Sequence, residues 1–187
     1  MFEPTRRELD IAMQNMSVYD GRQVYHGGIV VVEQIELHRS KIARDFGVGF
    51  YLTTYKEQAE SWTRSKRRRS KNASYGVVNK YEILSFAGLE CLVFTSPNED
   101  WLDFVVMNRN NLSRINTHQY DIVIGPVADD DTMVVIENYM AGVYAPFGST
   151  AKAKVIEYLE PEKLKNQIAL CTAKAVAAVK YSSHYTI

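Results

Sequence analysis

The chain has 187 residues, 46% apolar and 24% charged, the profile of a single globular domain with room for a substantial core. Its 22 Lys and Arg balance 22 Asp and Glu, which excludes a polycation, and no run of about 18 apolar residues marks a membrane-spanning helix. Two cysteines and four histidines without metal-ligand spacing point away from a zinc site and towards free thiols in a reducing compartment.

The N-terminal stretch MFEPTRRELD is charged and lacks an apolar signal region, so the expected location is the cytoplasm. Pro4 to about Met16 reads as a short helix with Leu9, Ala12, Met13 and Met16 on one stripe. Asp20-Gly21 is a turn, and Arg22 to Tyr25 leads into a strand ending at His26-Gly27-Gly28. Residues 29–37 are irregular, and a helical turn is expected between Leu37 and Ala43. Phe50-Tyr51-Leu52 is a short strand. Thr54 and Glu57 have capping-box spacing, which predicts a helix beginning at once and running into the basic segment RSKRRRSK at 64–71.

Tyr75 to Leu84 and Leu89 to Phe94 read as strands separated by a turn at Gly88. Ser96-Pro97-Asn98-Glu99 predicts a helix capped by Ser96, reaching about Asn108. Tyr120 to Val127 is an apolar strand. Thr132 to Tyr144 reads as a helix, although its Met133-Val134-Val135-Ile136 cluster equally suits a strand, and Thr150 to Leu159 reads as a helix, with Asp129 to Asp131 as an acidic loop and Pro161 opening a turn. Gln167 to Cys171 is a strand, and Thr172 caps a last helix carrying Ala175, Val176 and Val179 inward. Without regular βαβ spacing, the order favours one mixed α+β domain over residues 1–187.

The most informative stretch is 44–62. Gly47 and Gly49 bracket one residue, as suits a tight turn or a backbone that a flat ligand approaches closely. Tyr51 and Trp62 then stand at the two ends of a strand-to-helix corner, where they either pack as core, as aromatics at helical spacing usually do, or sandwich a planar ring.

Three segments in order, Val24-Tyr25-His26-Gly27-Gly28, Gly47-Val48-Gly49-Phe50-Tyr51 to Trp62, and Asn166-Gln167-Ile168, resemble the ADP-ribosyltransferase fold in its diphtheria-toxin and poly(ADP-ribose) polymerase-like branch. The run Asp45-Phe46-Gly47-Val48-Gly49-Phe50-Tyr51 with Thr53-Thr54 and Gln58-Ala59 is most similar to small bacterial domains of that type, which often stand beside a partner gene in toxin–antitoxin or phage-defence pairs. The resemblance spans about residues 22 to 180. It implies a split mixed β-sheet core with flanking helices and NAD consumed as substrate. His26, Tyr51 and Gln167 are then the catalytic set, and Tyr25, His26, Gly27, Phe46, Gly49, Tyr51 and Trp62 contact the cofactor. His26 would bind a ribose, the Gly27 backbone the nicotinamide carboxamide, and Gln167 the nicotinamide-ribose 2′-hydroxyl. The implied activity is mono-ADP-ribosylation of a nucleic acid or protein, with an antitoxin or inhibitory protein as partner and no membrane.

Two positions depart from that pattern. Gln167 stands where relatives carry a carboxylate, and a neutral amide neither supplies charge nor acts as a base. Ala59 stands where relatives place a carboxamide-binding Ser. Asp103 and Glu157 are candidate substitute carboxylates. The alternatives are a catalytically inactive module that binds NAD or nucleic acid, and an NAD glycohydrolase with water as acceptor. The Arg64 to Lys71 run reads either as a solvated helix end or as a surface that attracts the NAD pyrophosphate or a nucleic-acid acceptor.

Overall fold

The computed structural model describes residues 16–127, 130–144, 149–159 and 165–187. The helix expected at Pro4 to Met16, Asp129 of the expected acidic loop and the turn at Pro161 lie outside the described residues, apart from Met16 itself. The elements run β1 (Gln23–Gly28), β2 (Phe50–Leu52), α1 (Lys56–Arg69), β3 (Val77–Ile83), β4 (Cys91–Val93), α2 (Glu99–Asn110), β5 (Ile122–Pro126), α3 (Asp130–Met140), α4 (Ser149–Tyr158), β6 (Asn166–Leu170), α5 (Ala173–Ala177) and β7 (Val179–Thr186). This is a mixed α+β chain with two sheets.

The first sheet has the order β1-β3-β7 and is antiparallel; the second has the order β2-β6-β5-β4 and is mixed, with β4 and β5 parallel. Alternation sorts the side chains. Val24, Tyr81 and Ile83 of the first sheet pack against Leu52, Ile122, Ile124, Ile168 and Leu170 of the second. The opposite face of the second sheet meets Trp101, Phe104, Ile136 and Val155 on α2, α3 and α4. Both faces of β5 are therefore buried, which explains its unbroken apolar run. α1 covers the outer face of β1 and β3, where Thr63 Oγ1 donates to Val77 O.

Four expectations are corrected. Thr54 does not cap α1. The N-cap is Tyr55, without a side-chain bond, because Thr53 takes the role of turn-former and accepts from Tyr55 N at 3.0 Å. Ser96 does not cap α2 either; Asn98 does, accepting from Trp101 N at 2.8 Å. Asp130 and Asp131 open helix α3 rather than a loop. The Thr172 cap is present, accepting from Ala175 N, but α5 ends at Ala177 and Val179 begins strand β7.

Candidate functional site

The two sheets meet edge to edge at β1 and β2. Tyr25 and Thr53 exchange both backbone hydrogen bonds, at 2.8 and 3.0 Å. A continued ladder would next pair Gly27 with Tyr51, but those groups have other partners. His26 Nδ1 donates to Tyr51 O at 2.8 Å, and Lys66 Nζ donates to Gly27 O. The strands therefore splay at the His-Gly pair, with main-chain groups of Gly27 facing the gap.

His26 is held in one protonation state. A carbonyl only accepts, so Nδ1 carries the hydrogen and Nε2 remains an acceptor. Burial, and after it the charge of Lys66, push its pKa from the ordinary 6.5 down to about 3. The imidazole stacks on Phe50 at 4.3 Å and 22°. Gly27 is required by crowding: a Cβ there would lie 2.2 Å from Ala59 O and 2.8 Å from Thr63 Oγ1.

Tyr51 points to the other face of β2. Its hydroxyl donates to Gly47 O at 2.8 Å and accepts from Phe46 N at 3.0 Å, and its ring lies 6.5 Å from Phe46. Burial, then the charges of Cys171 and Asp45, hold this phenol well above its ordinary range. Trp62 is half-buried on α1, and among the described residues no ring stacks on it. The expected Tyr51–Trp62 sandwich is thus not closed in this structure, and the ring against His26 is that of Phe50.

Two of the residues expected at the cofactor face the chain itself. Phe46 is fully buried among Phe94 and Phe104 and has no surface to offer a ligand. At Gly49 the close approach is to the chain itself, since a Cβ would sit 2.9 Å from Leu170 O. Gly47 supplies the turn, at φ +80°, and a Cβ there would meet Asn116 Oδ1 at 2.4 Å. Tyr25 is half-buried, its hydroxyl donating to Gln23 Oε1.

Gln167 is buried on β6, opposite Gly125 of β5, and its Nε2 donates to Asp45 Oδ2 at 3.1 Å. Asp45 Oδ1 accepts from Arg109 Nε at 2.9 Å and Nη2 at 2.7 Å. Asp103 instead pairs with Lys152, and Glu157 is exposed on α4. The carboxylate beside Gln167 is therefore Asp45. A cavity of about 220 Å³, lined by Ala43, Arg44, Asp45, Arg109, Met133 and Glu137, opens against the Asp45–Arg109 ion pair. A larger one, about 590 Å³, lies beyond the glycine turn between Leu37, Val48, Asn116, His118, Tyr120 and Cys171.

The basic run divides. Arg64 pairs with Glu60, Arg67 Nη1 donates to Ile187 O, and Arg68 is exposed. Lys66 turns inward to Gly27. Burial and then the neighbouring charges of Arg44 and Lys41 lower its pKa to about 8. Among the described residues no carboxylate pairs with Lys41, Arg44 or Lys66. The sequence reading missed this inward lysine. Its only signal was spacing, since Ala59, Thr63 and Lys66 share one helical face.

The chain belongs to the family described as "Protein of unknown function (DUF3990)", whose model matches residues 23–181. No curated protein and no solved structure matches it. No helix among the described residues is long and apolar enough to cross a membrane.

Proposed function

We propose that this protein is a mono-ADP-ribosyltransferase that consumes NAD to modify a nucleic acid or a protein, and that it serves as the toxin of a toxin–antitoxin or phage-defence pair with an inhibitory partner. The observation that carries the reading is the splay of β1 from β2 at His26-Gly27, beside a neutral His26 with a free Nε2 acceptor. A carboxamide offers one donor and one acceptor edge, which suits an unpaired stretch of strand. In this reading Lys66 leaves Gly27 O as the carboxamide arrives, and its ammonium turns to the NAD pyrophosphate. His26 Nε2 accepts from a ribose hydroxyl, and Trp62 swings over the nicotinamide ring.

The reaction breaks the ribose C1′–nicotinamide nitrogen bond, and the electron pair leaves with nicotinamide. The acceptor's nucleophile bonds to C1′ and releases a proton to solvent. The chain's part is positioning and charge stabilisation of the cation-like transition state. The test is incubation of freshly prepared, partner-free protein with NAD labelled on its adenylate, in the presence of RNA, DNA and cell lysate. Nicotinamide release with label on a macromolecule is expected; absence of both overturns the proposal. Free ADP-ribose without labelled macromolecule would make water the acceptor.

A second reading, an NAD-binding module without turnover, is favoured by one contact. The amide of Gln167 already engages Asp45, and a neutral amide is no base. Saturable NAD binding with no nicotinamide release would select it.

A further inference from the structure

We infer that Asp45 is a positioning residue that sets the amide of Gln167, and that the two side chains together replace a single acidic residue: the amide supplies the accepting oxygen and the neighbouring carboxylate supplies the charge. The inference rests on the NAD reading above.

Arg109 holds Asp45 Oδ1 with two donors, and the side chains of Asp45 and Arg109 are only 12% and 9% exposed. So paired, Asp45 is an acceptor only. Gln167 must then present its nitrogen to Oδ2, at 3.1 Å. The amide oxygen is left across the carbon from that contact, as the acceptor for a substrate hydroxyl. The same geometry accounts for glutamine at this position. A glutamate would set a second carboxylate against Oδ2, and one of the two would have to keep a proton. Asp45 reaches this place because it shares a loop with the glycine turn that anchors the Tyr51 hydroxyl.

The experiment compares wild type, Asp45→Asn, Gln167→Glu and the double variant, by nicotinamide release and by melting temperature against pH. Asp45→Asn is expected to lower kcat about tenfold or more with little change in KM, since a freed amide misplaces its oxygen. Gln167→Glu is expected to melt progressively lower than wild type as pH rises from about 4.5 to 7, as the paired carboxylates lose their shared proton. The double variant exchanges the two roles, so that an amide at position 45 donates to a carboxylate at position 167. It is expected to remove that pH dependence and to exceed both single variants in kcat. Unchanged kcat in Asp45→Asn, or a Gln167→Glu melting profile parallel to wild type, overturns the inference. The melting arm needs no substrate, so it tests the contact even if a variant is inactive. No turnover by wild type overturns the NAD reading itself; turnover by wild type with an indifferent Asp45→Asn overturns this inference alone.

Discussion

The second sheet is covered on both faces, whereas β7 of the first sheet alternates between half-buried and exposed residues along its length. The difference separates two tasks. The second sheet, with α2, α3 and α4, holds most of the large buried side chains. The edge where the first sheet touches it holds the His26-Gly27 pair proposed to meet NAD, in a place where the ladder has a single reciprocal pair. Stability and activity should therefore respond to different substitutions.

The largest effect expected is on stability at the second sheet. Phe104→Ala should cost about 3–5 kcal/mol in denaturant unfolding. Trp62→Ala, at the junction, should leave the unfolding midpoint near wild type yet weaken NAD binding, measured by calorimetry, by the roughly 1–3 kcal/mol that a stacked aromatic contributes. Equal losses of stability in both variants would erase the distinction. Tyr51→Phe is intermediate. It leaves the Phe46 amide without its acceptor, for a loss of about 1–3 kcal/mol in the same unfolding experiment.

Proton linkage sharpens the comparison at the junction. His26 has a lowered folded pKa, so the unfolded chain binds more protons between about 3 and 6.5. Stability should fall as pH drops through that window, and His26→Gln should flatten that part of the melting curve. Lys66 is also lowered, to about 8. Its charged form is disfavoured in the folded state, so stability should rise as pH climbs from about 8 towards 10.5, and Lys66→Met should remove the rise. The smallest effect is reserved for Arg68→Ala on the exposed part of the run, within about 0.5 kcal/mol.

How much of this was legible in the sequence depends on how local the determinant is. The strands β5 and β6 and the helix after Tyr51 follow from apolar runs and periodicity. The caps lie one or two residues from their expected places because Thr53 accepts from Tyr55 N and Asn98 from Trp101 N, contacts that the three-dimensional path of the chain selects over Thr54 and Ser96. β7 escapes the sequence reading although Val179, Tyr181 and Tyr185 alternate with Lys180, Ser182 and His184, since the Thr172 cap favours a longer helix. The strand ending at His26-Gly27-Gly28 follows from the sequence, whereas its splay from β2 depends on contacts with Tyr51 and Lys66 that only the fold brings together. The Asp45–Gln167 contact does not, because it joins residues 122 positions apart, and Asp45 reads in sequence as an ordinary loop acid. Phe46 and Gly49 lie inside the same motif, but their neighbours in space are the chain's own Phe94, Phe104 and Leu170.

The lone reciprocal pair between Tyr25 and Thr53 makes the seam between the sheets a built-in gauge. Among the described residues two amides stitch it, so their deuterium uptake reports how often the seam breathes. A molecule wedged into the splay beyond them would slow both together, and one settling in the larger cavity behind the glycine turn would leave them unchanged.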